Sequence, residues 1–318
     1  MSHVAPASSM RTLTIEELRA WAAIDQAPAE LSDALSATLS RGGKGLRPAI
    51  VFEVARQGPH PDAAAVTQAA KAVEILHTAT MVHDDVLDRG ELRRGDPTLF
   101  RLYGSHTAAT VGVWLLGRSV WLLTECGQEA LAHASGAIEH MFSGQLLEVM
   151  DLFDVDRGAA RYFEIIAGKT AALFGLSAWL GGRLAGQPAS RAATLERFGF
   201  DLGVAYQIAD DILDLCGTDD AGTAGSGGDI RNGVFTLPVI YALETEPRLR
   251  DPLTRPFTDE TLSEIVQTIK EGDGISRALC DCRAHLEAAS RAAQELADDR
   301  ALQRLVDYVG DRCEGVLA

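Results

Sequence analysis

Two acidic segments have residue types and spacing suited to chemistry. In His83-Asp84-Asp85-Val86-Leu87-Asp88, the carboxylates of Asp84 and Asp88 stand four residues apart. On a helix that puts them on one face, with Asp85 beside them. Gln207-Ile-Ala-Asp210-Asp211-Ile-Leu-Asp214 repeats the pattern, with Gln207 almost one turn before Asp210 on the same face. Like charges at this spacing repel, and folding alone supplies no reason to place them at the end of an apolar run. A solvated helix end can yield one such cluster; two copies, each emerging from an apolar helical run, point to a site. Carboxylate and water oxygens are what Mg²⁺ prefers, and it binds through one or two carboxylates plus substrate phosphates. Ions held there would neutralise charge developing on a departing diphosphate. That is electrophilic chemistry, in which a carbon–oxygen bond breaks because its leaving group is stabilised.

The overall charge restricts the partners. With 29 Lys and Arg against 45 Asp and Glu, the formal net charge is −16, which argues against nucleic acid. An acidic chain that handles anionic substrates needs metal ions and a few local bases. Arg41-Gly-Gly-Lys44-Gly-Leu-Arg47-Pro48 is one candidate, since its glycines permit tight turns just before a helix that Pro48 can start. It is either an anion site or an ordinary solvated loop. Arg93 and Arg94 follow the first acidic cluster, between the helix-stopping Gly90, Gly95 and Pro97. Lys169, in Gly168-Lys169-Thr170, has an apolar surround and either snorkels to solvent or meets an anion.

The elements that must position these groups are helical. An apolar fraction of 47% supports a large core, and alternating apolar–polar runs are absent. The spacing predicts helices from near Thr14, over 28–39, from Ala63 to Asp88, and near 104–126, 128–150, 159–185 and 190–215. Further ones follow over 239–243, 258–271, 275–297 and 299–316. Gly217 to Gly228 is a Gly-rich loop, a lid or a connector. Residues 1–11 are expected as a mobile tail and 12–318 as one all-α domain. No apolar run reaches transmembrane length without a charge or Gly, and no signal peptide is evident. The five cysteines are scattered and odd in number, which suits thiols in a cytoplasmic protein.

Taken in order, the motifs resemble those of the trans-type isoprenyl (polyprenyl) diphosphate synthases. Gly42-Gly-Lys-x-x-Arg-Pro48, His77-Thr-Ala-Thr-x-x-His-Asp-Asp-Val-x-Asp88 and Arg93-Arg-Gly-x-Pro-Thr98 come first. Gly168-Lys-Thr-Ala-Ala-Leu-Phe174, the second acidic cluster with Gln207, and Thr236-Leu-Pro238 complete the set. The resemblance implies a single large helical bundle of the isoprenoid synthase type, with a central cavity flanked by the acidic clusters, as a homodimer. It implies Mg²⁺ held by Asp84, Asp85, Asp88, Asp210, Asp211 and Asp214. Arg93, Lys169, Thr170 and Gln207 would contact an allylic diphosphate, and Lys44, Arg47, His77 and Arg94 isopentenyl diphosphate. Asp84, Asp88, Arg93, Lys169 and Asp210 are the residues expected to carry catalysis. The reaction would be metal-assisted ionisation, attack by the isopentenyl double bond and loss of a proton, giving a linear trans-prenyl diphosphate.

Three positions depart from the family pattern: Ala224 and Val234 stand where lysines are usual, and Gly112-Val113-Trp114 replaces Gly-Asp-Tyr/Phe. Both lost lysines belong to the allylic side. Ala79 and Thr80, about one turn before Asp84, are small, which in the family accompanies products longer than farnesyl diphosphate. The expected product is therefore of geranylgeranyl length or more. Trp114 either closes that cavity or packs in the core. Two other readings compete: a terpene cyclase or other-acceptor prenyltransferase, and a non-catalytic subunit of a heteromeric synthase. The basic residues of a second diphosphate pocket argue against the cyclase, and the missing lysines motivate the non-catalytic subunit.

Overall fold

Helices account for nearly all of the computed structural model, which describes residues 31–32, 35, 38–39, 45–93, 95–216, 227–296 and 300–314. Lys44, Arg94, Ala224, the first eleven residues and the helix expected near Thr14 lie outside the described residues. In chain order the helices are α1 (Leu46–Ala55), α2 (Ala63–Leu87), α3 (Leu99–Thr124), α4 (Gln128–Met150), α5 (Ala159–Ile166), α6 (Ala172–Leu184) and α7 (Ala189–Cys216). Then come α8 (Gly228–Arg231), α9 (Leu237–Thr245), α10 (Arg250–Leu253), α11 (Asp259–Glu271), α12 (Gly274–Gln294) and α13 (Arg300–Glu314). A π-turn, Ala167–Ala171, joins α5 to α6. One element was not foreseen: strands β1 (Leu92–Arg93) and β2 (Asp96–Pro97) pair antiparallel after α2. Gly95, at φ +82°, makes the turn between them.

The all-α expectation is met. The described residues divide into two compact units, those within 1–135 with 176–196 and those within 136–175 with 197–318. In the first, α2 packs against α1 and α3. Asp62 caps α2, its carboxylate accepting from the backbone N–H groups of Ala64 and Ala65 at 3.1 Å. Ile50, Val51 and Val54 of α1 have no exposed surface, and neither have Ile75, Leu76 and Ala79 of α2. The Ser119 hydroxyl of α3 donates to Ala72 O at 2.9 Å inside this core.

In the second unit α9 packs on α12, and α12 on α13. Cys282 and Cys313 face each other across the α12–α13 pair, each on the buried side of its helix. The stretch Ala159–Leu184 is long and apolar enough to cross a membrane by length and composition, and 67% of its most apolar window is buried in the protein. Lys169 lies in the middle of that stretch, and its placement needs a local cause.

Candidate active site

The first acidic end belongs to the first unit. Helix α2 stops at Leu87, and the reversal falls on Arg89 rather than on Gly90 as the sequence suggested: Arg89 takes φ +52°. Gly90 N–H donates to Asp85 O at 2.9 Å, closing a Schellman turn whose left-handed position is occupied by an arginine. The left-handed backbone costs about 1 kcal/mol at a non-glycine residue. The Thr98 hydroxyl ties the exit down by donating to Gly90 O at 2.5 Å.

This turn folds the β1–β2 hairpin back on the helix end. Arg93 Nε donates to Asp85 Oδ1 at 2.9 Å, and its Nη2 lies 2.8 Å from the same oxygen. Asp85, assigned to metal, and Arg93, assigned to the allylic substrate, are thus brought together. Asp84 is half-buried and Asp88 exposed. A small cavity beside them is lined by Met81, Val82, Asp85, Arg93 and Leu99. His77, two turns earlier on α2, is half-buried, as is Arg47 on α1. Gly112 of α3 meets α2 closely: a Cβ there would stand 2.6 Å from His83 Nε2. Ala79 is fully enclosed, so the position on this face that keeps some exposure is Thr80.

The second acidic end lies in the second unit, on α7. Asp211 is 3% exposed, accepting from Tyr162 Oη at 2.5 Å and from Gln207 Nε2 at 2.7 Å. Gln207 Oε1 in turn accepts from the buried Thr170 hydroxyl at 2.7 Å. Thr170 and Gln207, expected at the substrate, therefore form a chain that runs from the π-turn to Asp211. The wide turn also explains Lys169. A π-turn adds a residue to the helical register and shifts the side chains that leave it, and Lys169 Nζ pairs with Glu148 of α4. The anion it meets is a carboxylate of the protein itself.

Asp210 pairs with Arg312 of α13. Asp214 Oδ2 accepts from the backbone N–H of Asp229 at 3.3 Å. Glu148, Tyr162, Asp229 and Arg312 were not identified from sequence, and only Asp229 carried a hint, directly after the Gly-rich loop. The buried Arg157 donates to Phe235 O, which pins the segment containing Val234.

Burial raises the proton affinity of this second end. Asp211 is pushed up to about 7 by desolvation, against the lowering effect of its Tyr162 and Gln207 bonds. Desolvation lifts Asp214 as well, and it lifts Asp229 strongly, with Asp214 and Asp211 adding to the shift. Between the ordinary carboxylate value near 4 and about 7, folded Asp211 keeps a proton that the unfolded chain has released. The folded state binds more protons there, so stability rises as pH falls through that window. Without divalent cation, Tm should increase from about pH 7.5 to about pH 5.5. If Asp211 takes a divalent cation, affinity for Mg²⁺ should weaken over the same range, because the ion would have to displace the proton. Calorimetric titration at each pH checks this; affinity that tightened on acidification would rule out Asp211 as the linked group.

Among the described residues, no three His, Cys, Asp or Glu side chains converge on one point. The donor set nevertheless fits a hard divalent cation. Each end offers carboxylates one turn apart, and such ions take one or two carboxylates with water and phosphate completing the sphere.

Comparison with known proteins agrees with this chemistry. The polyprenyl synthetase family model matches residues 28–270. The nonaprenyl diphosphate synthase of Mycobacterium tuberculosis is 36% identical over 296 residues, 90% of this chain and 88% of that protein. Heptaprenyl diphosphate synthase component 2 of Bacillus subtilis is 33% identical over 290 residues, covering 89% and 82%. Among solved structures, the polyprenyl synthase of Caulobacter crescentus, complexed with calcium and isoprenyl diphosphate, superposes with a TM-score of 0.86 at 30% identity over 93% and 92% of the two chains.

Proposed function

We propose, from the premise that this chain belongs to the polyprenyl synthetase family, that its acidic helix ends bind allylic diphosphate through Mg²⁺ ions. The chain is a prenyltransferase. It condenses isopentenyl diphosphate with an allylic diphosphate and releases a linear trans-prenyl diphosphate of geranylgeranyl length or longer. A divalent cation supplies neutralisation of the departing diphosphate, and Mg²⁺ suits carboxylate and water donors.

In this reading Arg93 and Lys169 flank the allylic diphosphate, while Lys44, Arg47, His77 and Arg94 hold the isopentenyl one. Fixing both anions aligns the double bond with the carbon that loses its leaving group. The observation that carries the reading is the Thr170–Gln207–Asp211 chain. It ties a turn bearing Lys169 to a metal-ready helix within one unit. We place the protein in the cytoplasm, which the free thiols of Cys126, Cys216 and Cys280 support. A homodimer is supported by α3, where Val113, Val120 and Trp121 fall on one helical face and stay exposed.

The test is direct: purified protein, Mg²⁺, isopentenyl diphosphate and a series of allylic diphosphates, with products sized by mass spectrometry. Linear elongation is expected. Cyclic hydrocarbon, or silence until a second subunit is added, overturns the reading. Thr80→Phe should shorten the products, since Thr80 lies one turn before Asp84 with partial exposure. Products of unchanged length would remove Thr80 from the wall of the chain-binding cavity.

A further inference from the structure

The last turn of the last described helix reaches into the second acidic end. Arg312 of α13 donates through Nη2 to Asp210 Oδ1, across 102 residues of sequence. Its guanidinium also stands 5.2 Å from the centre of the Tyr206 ring, one turn before Asp210 on α7. Arg312 Nε is buried and makes no hydrogen bond. The Arg312 side chain is less exposed than the carboxylate it holds, 19% against 35%. The helix carrying it is seated by Leu302, Leu305 and Val309, all without exposed surface, and by the buried Cys313 at the adjacent residue. Arg312 is thus delivered to Asp210 by a fixed backbone and holds it through a movable side chain.

We propose that Arg312 is a positioning residue that acts as a built-in counter-cation. It holds the Asp210 carboxylate in place and yields it to the incoming divalent ion. This rests on the reading of Asp210 as a metal-binding residue. A cation bound to that carboxylate would lie within about 5 Å of the guanidinium, and two positive centres at that range repel in a partly desolvated site. On the protein side Nε gives up no hydrogen bond when the side chain swings away, and the Tyr308 hydroxyl, which also bonds Arg312, must release it. The Tyr206 ring offers the displaced guanidinium a face to rest on. Metal loading at the second end is thereby coupled to the C-terminal helix, a link that no local feature of the acidic motif contains.

The experiment is a Mg²⁺ titration by calorimetry, without prenyl substrate, on the full chain as wild type, R312Q, R312K and D210N. R312Q should bind Mg²⁺ about fivefold more tightly than wild type, the exchange of a half-exposed ion pair worth about 1 kcal/mol. R312K keeps the charge and should stay within about twofold of wild type. D210N should weaken binding. In ¹⁵N spectra of the wild type, the arginine Nε–H resonance that both R312Q and R312K lack should shift as Mg²⁺ saturates. If R312Q bound Mg²⁺ equally or more weakly while D210N still lost affinity, the counter-cation role would be overturned and the metal assignment would stand. An unshifted wild-type resonance overturns it too. If D210N bound as wild type, the metal assignment itself would fail, and this proposal with it.

Discussion

Replacing Asp84 or Asp210 by Ala should lower kcat about a thousandfold, about 4 kcal/mol of transition-state stabilisation, while the helical fold stays intact. The size follows from what the two carboxylates do. In the proposed reading each would anchor positive charge where the leaving diphosphate becomes most negative, a stabilisation greater in the transition state than in the ground state. Asp210 holds little of the fold. Asp210 is 35% exposed in its pair with Arg312, and such pairs contribute about 1 kcal/mol or less. Circular dichroism should therefore superpose with wild type, and Tm should move by only a few degrees. Raising Mg²⁺ should restore part of the Asp210→Ala loss, because the remaining carboxylates still hold the ion weakly. Full activity in either single variant would show that the diphosphate is held elsewhere.

The acidic ends were legible because their information is local. Four-residue spacing on a helix specifies a shared face whatever the helix packs against, so Asp84 with Asp88 and Asp210 with Asp214 needed no tertiary knowledge. Helix existence was legible for the same reason, as in α2 and the apolar runs of α5 and α6. The misses are all long-range or conformational. Tyr162 reaches Asp211 across 49 residues and Arg312 reaches Asp210 across 102, and no periodicity encodes either distance. Lys169 looked like a cation awaiting an anion. Its partner, Glu148, sat unnoticed among the apolar residues of Leu146-Leu147-Glu148-Val149-Met150. Gly90 looked like the helix stop because glycine is the usual left-handed residue. The hairpin that follows pulls that conformation onto Arg89 instead. At Val234 the absence of a lysine was plain from sequence, but not the buried Arg157 that pins the neighbouring carbonyl.

Gly168→Ala should produce the second large effect, and it separates the role of the π-turn from that of its charge. A Cβ on Gly168 would stand 2.4 Å from His140 O of α4, and one on Gly144 2.5 Å from Lys169 N. Both obstacles are backbone, so neither can rotate away; the turn and α4 must part. Overpacking of this kind costs about 1–3 kcal/mol, visible as a lower urea midpoint with m unchanged. Activity should fall further than stability. The displaced turn carries Lys169 away from Glu148 and stretches the Thr170–Gln207 bond, 2.7 Å in the native protein, through which Asp211 is held. A misplacement of about 1 Å at a positioning group costs about a hundredfold, so kcat/KM for the allylic substrate should drop by that order. The KM for isopentenyl diphosphate should change little, because none of its assigned contacts lies on the turn. Lys169→Met removes the charge and leaves the glycine contact alone. It should match the loss in kcat/KM with a smaller loss in urea midpoint, that of one partly buried ion pair. If Gly168→Ala lost stability but kept its kcat/KM, the close approach of α4 to the π-turn would serve packing only, and Lys169 and Thr170 would have no part in holding the substrate.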